Sequence, residues 1–208
     1  MDNLMIKKIT FGHSICYLIK QDDNFMLIDA EMPGYSARLI SKLERAGVTR
    51  ENFKLLILTH GHVDHVGNAH ALRKHFGVRL AIGREDAPLI ETADLTFPKA
   101  HNMITKVLRK IVMLRESKFT YEPFEADLLL ENDQNLNQFG FDAAVISLSG
   151  HTPGSIGVIL GGHIFTGDAS MSLGGRTAPS IFGEDMDQMK LSLKRIERFS
   201  RGNIHNGH

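Results

Sequence analysis

The residues most able to do chemistry stand in one short segment, Thr59-His60-Gly61-His62-Val63-Asp64-His65. It places three imidazoles and one carboxylate within six residues, directly after the apolar run at 55–58. Imidazole and carboxylate supply the nitrogen and oxygen ligands that zinc accepts, and a loop that leaves a strand can direct closely spaced side chains toward one or two ions. A polar loop with incidental histidines is a poor alternative, because buried polar groups need partners. The segment predicts a metal site.

Three more candidate ligands lie in turn-rich settings further along the chain. They are His151 in the segment 149–154, Asp168 in Thr166-Gly167-Asp168, and His208 after Asn206-Gly207. Each alone is more often a turn residue or a helix cap, but their repeated placement favours a shared metal shell. His205 competes with His208, because it precedes that residue by only three positions.

Strand and helix patterns surround these positions. Apolar runs predict strands at 6–11, 15–20, 25–29, 55–58, 79–82, 128–130, 143–148, 156–160 and 164–166. Helical spacing predicts helices at 35–46, 68–76, 103–115 and 186–199. No linker rich in Pro, Gly or Ser divides the chain, so we expect a single α/β domain over residues 1–208.

Residues 84–118 are predicted to form a helical insertion. The apolar side of the helix expected at 103–115 carries Ile104, Val107, Leu108, Ile111 and Leu114, and lysines and arginines surround that side. We expect the apolar side to pack on the core and the basic face to be solvated. A role in capping the substrate is the alternative.

Composition narrows the class of protein. The 208 residues carry 24 basic and 24 acidic side chains, 11 histidines and one cysteine, with 42% hydrophobic residues. One cysteine excludes an intramolecular disulfide and a Cys-rich zinc module. The zero net charge supports neither a nucleic-acid nor a membrane partner. Because no basic and apolar leader or long apolar run is found, we expect a cytoplasmic protein acting on a small molecule.

These residues resemble the metallo-β-lactamase superfamily, whose His-X-His-X-Asp-His signature stands at residues 60–65. The resemblance also covers Asp29 at the end of the third predicted strand, and His151, Asp168 and His208 in their loops. It implies a four-layered αββα sandwich with a two-metal site at one edge of the paired sheets. Asp29 would orient the ligand loop rather than bind a metal.

The resemblance also implies how the ligands are divided between two divalent ions. It assigns His60, His62 and His151 to the first ion, Asp64, His65 and His208 to the second, and Asp168 to both. Zinc is the expected metal, although iron and manganese accept the same donors. His208 is the last residue of the sequence, and terminal residues fray unless held, so we expect a weaker second site and a natural chain that extends further.

The expected chemistry is hydrolysis by a metal-bridged hydroxide, which Asp64 would orient as a catalytic residue. The full ligand set most resembles the glyoxalase II and lactonase-like hydrolases, which implies a small ester, thioester or lactone as substrate. Alternatives are an iron-dependent oxidoreductase or dioxygenase with one metal, a phosphodiesterase or nuclease, and an inactive binding fold. We do not expect β-lactam hydrolysis, because the sequence shows no export signal.

Arg176 follows Asp168 in a region where the family commonly places residues that shape the substrate pocket. It is a candidate for pairing with an anionic group of the substrate. A solvated loop arginine is the alternative.

Overall fold

The computed structural model describes residues 4–95, 97–101, 103–116, 119–199 and 203–208. Its strands are β1 (Leu4–Thr10), β2 (Ile15–Gln21), β3 (Asn24–Ile28), β4 (Phe53–Leu58), β5 (Arg79–Gly83), β6 (Leu128–Leu130), β7 (Ala143–Ser147), β8 (Ile156–Leu160), β9 (His163–Gly167), β10 (Met171–Leu173), β11 (Arg176–Ala178) and β12 (Asn203–Asn206). Its α-helices are α1 (Ser36–Arg45), α2 (Val63–Val66), α3 (Ala69–Phe76), α4 (Ala87–Thr92), α5 (Met103–Glu116) and α6 (Met186–Phe199).

The larger strands form two sheets. The first has the order β1-β2-β3-β4-β5-β6, antiparallel from β1 to β3 and parallel from β3 to β6. The second has the order β12-β9-β8-β7, in which only the β12–β9 pair is parallel among the described strands. No helix of the described residues is long and apolar enough to cross a membrane.

The two sheets pack face to face, and each is covered by helices on its outer face. In β4, Leu55 and Ile57 pack against the second sheet, whereas Leu56 and Leu58 pack against α1 and α3. Both faces of the strand are therefore buried, which explains its continuous apolar run. On the far side, Ile196 of α6 packs on the second sheet. The four-layered αββα sandwich is confirmed.

The insertion differs from its prediction. After β5 the chain forms a short 3-10 helix (Arg84–Asp86), α4 and then α5, while residues 117 and 118 lie outside the described part. Of the five apolar residues expected to pack on the core, Val107 and Leu114 do not, since they are 58% and 71% exposed. The side chains of Ile104, Leu108 and Ile111 lie outside the described part. On the opposite side of the helix, Thr105 is buried and Arg109 is half-buried.

Three further strands, β10, β11 and β12, were not predicted from the sequence. β10 and β11 form a hairpin through Gly174 and Gly175, whose φ angles of 57° and 77° are typical of a tight hairpin turn. β12 pairs with β9 and brings the end of the chain beside Gly167. This pairing determines where His208 lies.

Candidate metal centre

The candidate site residues lie where strands of both sheets end. Asp29 follows β3, His60 comes two residues after the end of β4, and Asp168 directly follows β9. Because β3 and β4 are parallel, their carboxyl ends meet at one edge of the first sheet. The short helix α2 then turns Asp64 and His65 back toward the same edge.

Ligand atoms of the seven predicted metal-binding residues come together there in three overlapping groups, each within 4.8 Å. The groups are His60, His62 and His151; His60, His65 and Asp168; and Asp64, His65 and His208. The Asp168 carboxylate lies 3.4 Å from His65 Nε2, 3.7 Å from His151 Nε2 and 3.3 Å from His208 Nε2. It therefore stands between the first and third groups, as a bridging ligand must.

The chemistry of this cluster fits bound cations. His60 is 1% exposed, and its Nε2 has no hydrogen-bond partner. Nearby, the ring nitrogens His62 Nδ1 and His151 Nε2 lie 3.0 Å apart. A buried nitrogen without a partner is costly in a folded protein unless something accepts its lone pair. A divalent ion held by imidazoles and carboxylates supplies that partner.

The protonation of the first group also suits metal binding. Burial lowers the pKa of His60 well below its ordinary value, and the neighbouring His65 acts in the same direction. Burial likewise lowers the pKa of His62 to about 3, helped by His151. Both imidazoles are therefore neutral at pH 7, which is the state that binds a metal.

His65, His208 and Asp64 carry charge in the absence of an ion. Burial acts to lower the pKa of His65, but the carboxylates of Asp64 and Asp29 outweigh it and raise that pKa well above its ordinary value. Asp168 raises the pKa of His208 to about 10. For Asp64, burial acts to raise the pKa, but His65 and His208 lower it to about 2. Metal binding here must displace protons, so affinity should increase with pH.

Asp29 contacts the ligand loop rather than the centre of the cluster. Its carboxylate accepts the backbone N–H of Thr59 at 2.8 Å and lies 2.8 Å from His65 Nδ1. That contact leaves His65 Nε2 facing Asp64 and Asp168. The backbone of Asp29 is left-handed (φ 62°), a conformation that Asp adopts more readily than most residues.

His208 is held by the backbone around it. Gly207 donates its N–H to Gly167 O at 2.9 Å and accepts the N–H of Ile15 at 2.8 Å. A Cβ at position 207 would collide with the Asp168 carboxylate, so this position requires glycine. The side chain of His208 is nevertheless 47% exposed.

Two other candidates lie elsewhere. The structure does not bring His205 to the cluster: its ring stacks on Phe165 and lies 2.9 Å from His163 Nδ1. Arg176 is exposed on β11. It is absent from the described residues that line the cavity beside the candidate metal ligands. The structure therefore gives no contact that supports Arg176 as a substrate-binding residue.

Asp86 is a buried residue of the site that sequence reasoning missed. Its carboxylate accepts the N–H of Gly61 at 2.9 Å, the N–H of Gly154 at 2.7 Å and the hydroxyl of Thr152 at 2.7 Å. Gly61 stands between two ligands and Thr152 follows His151, so one carboxylate joins both ligand loops. Burial raises the pKa of Asp86, and these three hydrogen bonds oppose that rise. The sequence did carry a signal for this residue, because Asp86 is an acidic residue shortly after the apolar strand β5.

Replacing Asp86 by Asn is expected to lower the free energy of unfolding by about 2–3 kcal/mol, because hydrogen bonds to a buried charge are strong and an amide cannot accept all three. Urea denaturation monitored by circular dichroism measures the change. Glu85→Gln is the matched control, since Glu85 is adjacent and exposed. Equal stability of the two variants would contradict the role of Asp86.

A cavity of about 380 Å³ opens beside the cluster. This volume suits a small ligand. Its lining residues are Gly12, His13, His62, Val63, Asp64, Phe97, Pro98, Arg109, His151, Asp168, Ser170, Met171, Ser180, Ile181, Phe182 and His208. The insertion thus supplies part of the wall.

Comparisons with known proteins agree on one family for this chain. A family model described as the metallo-beta-lactamase superfamily matches residues 9–208. The hydroxyacylglutathione hydrolase GloC of Haemophilus influenzae is 33% identical over 163 residues, covering 76% of this chain and 66% of that protein. The chain spans about half (51%) of a hydroxyacylglutathione hydrolase of Xanthomonas campestris, to which it is 25% identical over 79% of its own length.

Solved structures give the same fold. The B3 metallo-beta-lactamase BLEG-1 superposes with a TM-score of 0.75 at 24% identity, covering 98% of this chain and 91% of that one. A protein solved in a di-iron-bound form superposes with a TM-score of 0.72 at 24% identity, with the same coverage.

Proposed function

Because the chain belongs to the metallo-beta-lactamase superfamily of metal-dependent hydrolases, we propose that it hydrolyses a small thioester with two divalent ions, expected to be zinc. The observation that carries this proposal is the convergence of seven nitrogen and oxygen ligands around Asp168. An iron-dependent oxidoreductase with one metal would leave part of this set without a use. The identity to a hydroxyacylglutathione hydrolase favours thioesters over lactones and other esters.

When bound, two divalent ions lower the pKa of water and stabilise negative charge on a carbonyl oxygen. His60, His62 and His151 would hold one ion, Asp64, His65 and His208 the other, and Asp168 both. In the reaction, the oxygen of water bonds to the acyl carbon and the carbon–sulfur bond breaks, which yields a carboxylic acid and a thiol. A thiol has a pKa of about 8.5, so the sulfur leaves readily as a thiolate.

Asp64 is suited to orient the attacking water. Its side chain lines the cavity, and its Oδ2 lies 3.3 Å from His208 Nε2 and 3.7 Å from His65 Nε2. An aspartate carboxylate that would also hold a divalent ion is a weak base at neutral pH. It therefore accepts a hydrogen bond that positions the water, rather than removing its proton. The hydroxyl of Ser14 holds the Asp64 backbone by donating to its carbonyl oxygen at 2.5 Å.

A substrate panel tests the proposal. The purified protein is assayed on a thioester, a lactone and a phosphodiester, each with and without chelator. We expect chelator-sensitive thioester turnover, and a loss of at least about a thousandfold in a His60→Ala/His62→Ala variant, because the carbonyl charge would no longer be stabilised.

The matched control for this double variant is His70→Ala/His75→Ala on α3, where both histidines pair with glutamates away from the cluster. It should keep the activity of the unmodified protein. Full activity in the His60/His62 variant, or turnover of the phosphodiester alone, would refute the proposal.

A further inference from the structure

The insertion places a permanent positive charge in the wall of the cavity. Arg109 of α5 is half-buried, and among the described residues that line the cavity it is the only lysine or arginine. Several neighbours in the lining are apolar, including Phe97, Pro98 and Ile181. A charge in such surroundings is costly unless it is paired.

Hydrogen bonds to the backbone hold the guanidinium in place. Arg109 Nε donates to Pro98 O at 2.8 Å, and Nη2 donates to Phe97 O at 3.1 Å. These bonds use one edge of a group that has five N–H donors. None of the ion pairs found among the described residues involves Arg109, whereas Lys99 of the same insertion pairs with Glu184 at 2.8 Å. Among the described residues, the guanidinium is therefore oriented by carbonyls and has no acidic partner.

Hydrogen bonds also hold the insertion beside the cluster of predicted ligands. Lys99 O accepts the N–H of Gly183, and His101 Nε2 lies 2.7 Å from Gly183 O. The adjacent Phe182 O lies 2.9 Å from Nδ1 of His151. These contacts connect the wall that carries Arg109 to a predicted ligand, so a substrate in the cavity would lie between the cluster of predicted ligands and a fixed cation.

We propose that Arg109 binds a carboxylate of the substrate, so that the substrate is a thioester with a free carboxylate remote from the scissile bond. This inference rests on the proposed thioester hydrolysis. A guanidinium with one unused edge matches the planar fork of a carboxylate. A single cation balances a single negative charge, which favours a carboxylate over a phosphate dianion.

A purely structural role of Arg109 makes a different prediction, because its bonds to the carbonyls at 97 and 98 also hold the cavity wall. Loosening the wall would slow all substrates alike, whereas loss of a binding charge would affect only the anionic ones. Matched pairs of substrates separate the two. One pair is the acetyl thioesters of 3-mercaptopropionate and of its carboxamide, and a second pair carries the carboxylate or carboxamide in the acyl group.

The experiment compares the unmodified protein with Arg109→Gln and with the control Lys106→Gln, which removes an exposed charge from the same helix. The unmodified protein and the control should prefer the carboxylate member of at least one pair by about ten- to a hundredfold in kcat/KM, mainly through KM. Arg109→Gln should abolish that preference and change turnover of the carboxamide by less than about twofold.

Binding of non-hydrolysable thioethers of the same thiols and acyl groups, measured by calorimetry, separates this inference from the proposed function. If no thioester is hydrolysed but carboxylate thioethers bind through Arg109, the proposed function fails, while Arg109 stands as a carboxylate-binding residue. If thioesters are hydrolysed with no preference in either pair, or Arg109→Gln slows both members alike, the inference fails and the proposed function stands. Preference lost on Arg176→Gln instead would also overturn it.

Discussion

Asp168→Asn should lower thioester turnover by at least about a thousandfold, because it removes the one negative charge that lies between both halves of the site. The carboxylate is within 3.4 Å of His65 and within 3.3 Å of His208. Burial acts to raise the pKa of Asp168, but His208 and His65 outweigh it and hold that pKa well below its ordinary value. An amide of the same shape is neutral, and its NH₂ group cannot bind a cation.

The measurement is kcat/KM together with the metal content per chain by elemental analysis. Asp142→Asn is the matched control, because Asp142 is an exposed aspartate ahead of β7. The control should retain both activity and metal. An Asp168→Asn protein with unchanged turnover and unchanged metal content would show that this carboxylate is not a shared ligand.

Removing the metal should have a comparably large effect. We expect turnover to fall by at least about a thousandfold, since the water and the carbonyl oxygen lose their activating charge. The melting temperature should fall as well, because an ion that binds only the folded state stabilises it. Without ions, His60 Nε2 is again a buried nitrogen without a partner. Dialysis against a chelator, followed by assay and thermal unfolding, tests both effects, with dialysis in plain buffer as the control.

Local patterns were sufficient where a strand is buried on both faces or where ligands stand close together in sequence. Residues 55–58 are uniformly apolar because β4 packs between helices and a second sheet, and the strand was predicted from that run. The spacing at 60–65 places ligands in one loop and on one short helix, so little folding information is needed to bring them together. Through the family resemblance that this spacing carries, the family and its layered fold were accessible from the sequence.

Contacts between distant segments were not accessible. The carboxylate of Asp86 reaches Gly61 across 25 residues and Gly154 across 68 residues, and no local pattern records such a pairing. β12 depends on its pairing with β9, because Asn203–Asn206 has little strand character of its own. Helical periodicity likewise placed Val107 and Leu114 on the core side, but both are exposed, while Arg109 on the opposite side hydrogen-bonds to Pro98 O.

Titration of the metal-free protein with Zn²⁺, following bound metal and thioester turnover together, tests the two-ion site most directly. Turnover should be absent without metal and should reach its maximum at two equivalents per chain. The second equivalent should bind more weakly, because His208 is the most exposed of the seven predicted ligands. Full turnover in the metal-free protein, or a maximum reached with no second ion bound, would contradict the account.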